Sequence, residues 1–219
     1  MSVVTGVDRP APVATPVTLE GRFVRLEPLS VAHIPGLVAA AAASRETYGF
    51  TLVPRDEAEA RAYVASALAE QEAGRALPLA TIDRGAGRVV GSTRLFNIEY
   101  WPWPPGNVNQ RGAERPDVVE IGWTWLAASA QRTPINTEAK LLMLAHAFDE
   151  WRVHRVSLMT DARNQRSRNA ILRLGARFDG VLRAARPASD GTIRDTAAFS
   201  ILDSEWPAIR TRLSTRLTQ

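Results

Sequence analysis

The residues of this 219-residue chain best placed for chemistry lie in one run, VEIGWTWLAASAQRTPINTEAKLLMLAHAF, from Val119 to Phe148. Its middle reads Thr133, Pro134, Ile135, Asn136, Thr137, and a proline at the first helical position after a threonine marks a helix start. The opening turn of such a helix aims unpaired N–H groups and the positive end of its dipole at one point, which suits a phosphate. Gln131, Arg132 and Thr133 add side-chain donors there. An ordinary strand-to-helix crossover produces the same pattern, so the residues alone leave both readings open. Upstream, Glu120 sits in a strand whose period of two puts it on the side of Gly122 and Thr124. A charged glutamate inside a central strand is rarely buried without a purpose, which makes Glu120 a candidate general base. The structural alternative is a carboxylate pairing one of the many arginines. His33, His146 and His154 are the other candidate bases, although His146 in mid-helix reads as core-edge packing. In a second run, TDARNQRSRNAILRLGA, Ser167 shares the helical stripe of Ala170, Ile171 and Leu174, so it faces inward. Asn164 and Ser167 also read as helix-capping residues.

The elements that must position these groups follow from periodicity and turn chemistry. Thr18–Glu27 alternates as a first strand, and Val31–Ala43 is helical with a late start at Pro35 and Gly36. Arg55–Ala73 is an amphipathic helix closed by Gly74, and Leu77–Asp83 with Val89–Ile98 forms a hairpin. Prolines at 102, 104 and 105 make Tyr100–Asp117 a long loop. Then come a strand at Val118–Leu126, a helix at Thr137–Trp151, a strand at Val153–Thr160 and a short helix at Gln165–Leu174 ended by Gly175. Strands near Phe178–Ala185 and Arg194–Leu202 flank the turn Ser189-Asp190-Gly191, and a last helix starts near Ser204. This order predicts an α/β (α+β) domain with a mixed sheet and helices on both faces. Residues 1–17 read as a flexible leader rather than a signal peptide, and residues 18–219 as one domain.

The run Glu-Ile-Gly-Trp, a strand, then Gln-Arg-Thr-x-x-Asn-Thr-Glu-Ala resembles the acyl-CoA pyrophosphate motif of GNAT N-acyltransferases. The similarity continues through Asn164-x-x-Ser167, Leu174-Gly175-Ala176 and Asp195-Thr196, and spans about residues 18–202. The resemblance is to the branch holding the ribosomal-protein acetyltransferases. It implies the GNAT fold, with a mixed, mostly antiparallel sheet, and an acyl-CoA co-substrate without a metal. It also implies direct attack by a primary amine in a ternary complex. Gln131, Arg132, Thr133, Ile135, Asn136 and Thr137 would then hold the pyrophosphate, and Trp125 and Leu126 would polarise the thioester carbonyl. Asn164 would contact the pantetheine arm, Glu120 would act as base and Ser167 as acid. Arg163, Arg166, Arg168 and Arg173 are the candidates for the 3′-phosphate, Arg168 chosen among them, the others reading as solvated surface arginines. The family pattern is Gln/Arg-x-x-Gly-x-Gly/Ala, and here Pro134 and Asn136 fill both small positions. Pro134 removes one donor and Asn136 adds bulk, so altered cofactor geometry is expected. The unusual loop also resembles a succinyl-CoA-using subgroup of actinobacteria, which tilts the donor towards succinyl over acetyl.

With no cysteine, disulfides, thiolate metal sites and a cysteine nucleophile are excluded, and the cytoplasm is the expected compartment. No apolar stretch is long enough to span a bilayer as a helix, which argues against a membrane protein. The pI near 10.2 coexists with a net charge of only +4. Lys140 is the sole lysine, so arginine supplies nearly all the basic charge and little titrates at high pH. The arginines are interleaved with acids, which argues against nucleic acid as partner. The acceptor is read as an amine on a protein N-terminus, a lysine or a small molecule. The aromatic Trp101-Pro-Trp103 loop, with Tyr100, reads either as a wall of the acceptor pocket or as an interface in a homo-oligomer. A competing reading is a degenerate GNAT-fold protein that binds CoA without catalysis.

Overall fold

The structure, a computed structural model, describes residues 15–112 and 114–218. Residues 1–14 of the expected leader lie outside the described residues, and Val17 already packs against the core. Eight strands form one sheet in the order β1-β2-β3-β4-β5-β6-β8-β7. They are β1 (Leu19–Glu20), β2 (Val24–Pro28), β3 (Ala76–Asp83), β4 (Arg88–Glu99), β5 (Val118–Leu126), β6 (Arg155–Asp161), β7 (Arg177–Pro187) and β8 (Ile193–Leu202). Only β5 and β6 run parallel. A parallel pair needs a crossover, supplied here by α3 (Pro134–Ala145). The other helices are α1 (Ile34–Ala42), α2 (Glu57–Glu72), α4 (Gln165–Leu174) and α5 (Trp206–Thr218).

Helices cover both faces, as the residue alternation along β4 shows. The Tyr63 hydroxyl of α2 donates to Ser92 Oγ, whereas neighbouring Thr93 accepts from Lys140 Nζ of α3 on the opposite face. The core between these layers is aliphatic, with Leu77, Leu79, Leu95, Met143, Leu144, Phe199 and Ile201 among its fully enclosed side chains.

Most boundaries fall within three residues of the pattern, and two segments differ in kind. The expected strand Thr18–Glu27 is broken into β1 and β2, because Glu138 of α3 reaches the turn between them. Its carboxylate accepts the N–H groups of Arg22, Phe23 and Val24 at 2.8, 2.6 and 2.8 Å. A Cβ on Gly21 would fall 2.3 Å from that carboxyl carbon, so only glycine fits there. The helix expected to run to Trp151 ends its α-helical part at Ala145 and finishes as a π-helical turn, His146–Glu150, with Trp151 N–H bonded to the His146 carbonyl.

Candidate active site

β5 pairs with β6 only across Val118–Glu120, opposite Arg155–Ser157. β5 continues to Leu126 along β4, while β6 continues to Asp161 along β8. The two central strands therefore diverge beyond Glu120 and open a wedge whose β5 wall has no ladder partner on that side. A bulge drives the divergence. The β4–β5 register slips between Ser92 and Arg94, and Trp123 takes a left-handed φ of 52°. Close approach of β4 to the bulged strand requires Gly91, since a Cβ there would lie 2.0 Å from the Trp125 carbonyl oxygen.

The bulge also corrects the expected alternation. Glu120 and Gly122 share a face with Arg94 and Phe96, their register partners. Thr124 is turned to the other face, where its Oγ1 meets Thr93 at 2.8 Å and Lys140 Nζ at 2.7 Å. Period two fails at the extra residue.

At the mouth of the wedge, α3 begins where the sequence indicated. Thr133 is its N-cap, accepting the Ile135 N–H, and Pro134 fills the first turn. The left-handed residue is Arg132, with φ of 61°, while Asn136 sits in plain helix and needs no unusual angles. Arg132 is exposed, Asn136 and Thr137 are half-buried, and Ile135 is buried in the core. The N–H of Asn136, the third helical residue, belongs to the opening turn that has no intrahelical acceptor. Gln131 differs from the expected phosphate donor, because its NH₂ donates to the Leu126 carbonyl and to Thr47 Oγ1. Its carbonyl end receives Arg166 Nη2 at 2.9 Å. Arg166 is thus the arginine brought to this loop. Arg168, selected from sequence, donates to the Ala162 carbonyl and lies over the Phe178 ring. Arg163 is spent on Asp161 and Asp190.

Across the wedge, α4 is capped by Asn164, whose side-chain oxygen accepts the Ser167 N–H at 3.1 Å. Any cofactor contact by Asn164 would therefore fall to its NH₂ end. Ser167 is half-buried. Trp125 and Leu126 are buried at the end of β5, with Tyr48 donating to the Leu126 carbonyl and standing edge-on to Trp125.

Glu120 occupies the apex of the wedge and is 4% exposed. Burial pushes its pKa above the usual carboxylate value, against the Asn97 amide donating at 2.8 Å and the charges of Arg186 and Arg194. The histidines are engaged elsewhere. His33 bonds Ser30 and Glu27, His146 stands against Trp151, and His154 stacks on Trp101.

On the face of Glu120 and Gly122, a second cleft of about 420 Å³ opens between α2, the segment from Arg45 to Arg55 and the bulge, reaching Arg94 and Trp123. The Tyr100–Asp117 loop does not wall this cleft. The Trp101 N–H and Trp103 indole Nε1 both donate to Asp117, each at 2.7 Å, which pins the loop to the start of β5, away from the open end of the wedge. Sequence reasoning missed Arg94, Trp123 and the 45–55 segment; the only prior signal was an arginine in an otherwise uncharged stretch of strand. Among the described residues, no cluster of three or more His, Cys, Asp or Glu could hold a metal.

A diverging parallel pair, a bulged strand and a helix N-terminus at the wedge mouth form the framework of an acyl-CoA-binding fold. Residues 24–177 match the acetyltransferase (GNAT) domain model, and the chain belongs to that family. A GCN5-related N-acetyltransferase from Brucella melitensis is 32% identical, with 95% of this chain and 88% of that one covered at a TM-score of 0.77. Mycobacterium smegmatis RimJ in complex with CoA-disulfide shares the fold at 21% identity, with 92% and 93% of the chains covered and a TM-score of 0.71. The ribosomal-protein-S5-alanine acetyltransferase of Vibrio fischeri does so at 14% identity, 87% and 98% coverage and a TM-score of 0.65. Among curated proteins no match was found.

Proposed function

We propose that the chain transfers an acyl group, succinyl or acetyl, from acyl-CoA to a primary amine by direct attack in a ternary complex. The observation that carries this reading is a carboxylate of raised pKa, Glu120, enclosed at the apex of a wedge that opens towards a helix N-terminus. Glu120 accepts the proton of the attacking amine, directly or through water, as the nitrogen bonds the thioester carbonyl carbon. A backbone N–H at the end of β5, by Trp125 and Leu126, polarises the carbonyl oxygen, the carbon–sulfur bond breaks, and Ser167 protonates the departing thiolate. The products are an amide and CoA. Gln131, Arg132, Thr133, Ile135, Asn136 and Thr137 form the pyrophosphate loop, with Asn164 as a further cofactor contact and Arg166, which already meets Gln131, in the place expected of Arg168. A cytoplasmic homo-oligomer completes this reading. The exposed Phe178, Val181 and Leu182 of the edge strand β7 support self-association, which sedimentation tests.

Calorimetry against acetyl-CoA, succinyl-CoA and CoA tests the binding step. The chain has no cysteine, so a thiol-reactive dye reports released CoA without background. Glu120→Gln should retain acyl-CoA binding, lose roughly 10²–10⁴-fold in transfer, and lose the acid limb of the pH–rate profile. Unchanged turnover in that variant removes the base assignment. Binding of CoA species without release of thiol by the wild-type chain favours the degenerate, CoA-binding reading, to which Pro134 and Asn136 lend support.

A further inference from the structure

Arg94 is 3% exposed and has no carboxylate beside it. Its guanidinium carbon lies 4.7 Å from the Tyr63 ring centroid and 4.5 Å from that of Trp123, and the two rings meet edge to face at 6.4 Å, so the group is seated in the corner they form. Its Nε has no hydrogen-bond partner, and no ion pair engages the group among the described residues. Glu70, half-buried on α2 and taken up by two hydrogen bonds from Arg75, acts on it only at a distance. The other charges of the second cleft are already committed. Arg45 donates to the Val53 and Pro54 carbonyls, and Arg55 pairs with Glu59.

Burying a permanently charged guanidinium without a counter-ion is costly, and the cost persists in a fold only where something offsets it. Tyr63 and Trp123 supply ring faces and a fixed plane, but they leave the donor edge free. That edge borders the cleft. A planar fork of donors held in one orientation suits a carboxylate, which it binds through two parallel bonds.

The position fits a substrate of the transfer reaction. Arg94 pairs with Gly122 and Glu120 with Phe96, all on one face of adjoining strands. Two residues of strand separate the receptor row from the base, roughly 7 Å. The Phe96 ring lies over Gly122 between them, and a Cβ at Gly122 would stand 2.7 Å from it.

We propose that Arg94, seated against Tyr63 and Trp123, is the receptor for a carboxylate carried by one of the two substrates, either the distal end of a dicarboxylic acyl chain or the acceptor amine. This rests on the acyltransferase reading above. It makes the cleft selective for an anionic substrate and assigns the selectivity to one side chain outside the base and the pyrophosphate loop.

The test compares the wild-type chain with Arg94→Gln and Arg94→Lys. Succinyl-CoA and acetyl-CoA are titrated by calorimetry. CoA release from acetyl-CoA is then followed with amino acids and with the corresponding amino-acid amides. If the donor carries the carboxylate, succinyl-CoA binds at least tenfold tighter than acetyl-CoA. Arg94→Gln then brings the ratio to near one and leaves acetyl-CoA affinity unchanged. If the acceptor carries it, the two acyl-CoAs bind alike, amino acids react at least tenfold faster than their amides, and Arg94→Gln abolishes that preference. Arg94→Lys, which keeps the charge and loses the fork, retains part of either preference. Absence of both preferences in the wild-type chain overturns the proposal, as does a preference that survives both substitutions. Those results would leave the acyltransferase reading intact. Failure to bind any acyl-CoA sinks that reading instead, and titration of sodium succinate into wild type and Arg94→Lys then decides the receptor alone. Should Arg94→Gln not fold, the wild-type selectivities and their change in Arg94→Lys still separate these outcomes.

Discussion

Three of the buried charged side chains, Glu138, Glu120 and Lys140, have three different kinds of neighbour, and that difference separates them. Glu138 has its charge satisfied by three backbone N–H groups, so it is structural. Glu120 has a single amide donor and distant arginines, and its pKa is pushed up by burial. Lys140 has only hydroxyls and a thioether around its ammonium, and burial lowers its pKa from 10.5 to about 7. The folded chain therefore holds fewer protons at Lys140 than the unfolded chain between about pH 7 and 10.5. Stability rises with pH across that window, and the full penalty is present below it. Lys140→Met should raise the melting temperature by several degrees at pH 6 and by less at pH 9, since Thr93 and Thr124 still bond each other once the ammonium is gone. Equal shifts at both pH values would show that the buried charge is not what costs stability. That Glu120 and Lys140 sit in central elements was readable from periodicity. What surrounds them was not, because each environment is assembled from strands and helices far apart in the chain.

At the scale of elements, the site depends on one irregularity in β5 and on the first turn of α3. The helix start at Thr133-Pro134 was legible because capping is local chemistry among adjacent residues. The backbone at that turn follows from Pro134, which supplies no N–H where the family pattern has glycine. Pro134→Ala returns that donor, and acyl-CoA should bind roughly three- to tenfold tighter, read by calorimetry, if the turn meets the pyrophosphate. Unchanged affinity would mean that the phosphates rest elsewhere, on Arg166 and its neighbours. The bulge at Trp123 was barely legible. Gly122 beside it is a local sign of irregularity in the strand, but the slip itself exists because β4 and β5 shift by one position where Gly91 lets the backbones meet. Its consequence is large, since it turns Thr124 away from the face of Glu120 and brings Trp123 under Arg94.

For the molecule as a whole, the sheet has two ends with separate duties. The wedge and second cleft lie beyond Glu120, whereas Asp117 gathers Trp101, Trp103 and His154 at the start of β5. Removing the Asp117 carboxylate unpins a long loop without touching the wedge. Asp117→Ala should lower the melting temperature by several degrees, with roughly 2–4 °C per kcal/mol for a chain of this size. Its kcat/KM should stay near that of wild type, and a large loss of kcat/KM would place the loop in the acceptor pocket after all. Sequence alone determined which segments become strands and helices, where α3 and α4 start, and that Glu120 lies in a central strand, because these depend on contacts within a few residues. Tertiary structure alone decided the splitting of β1 from β2 by Glu138, the parting of β5 from β6, the choice of Arg166 over Arg168 at the loop, and the enclosure of Arg94. Each of those rests on groups tens of residues apart that meet only when the sheet has formed, so no local pattern encodes them.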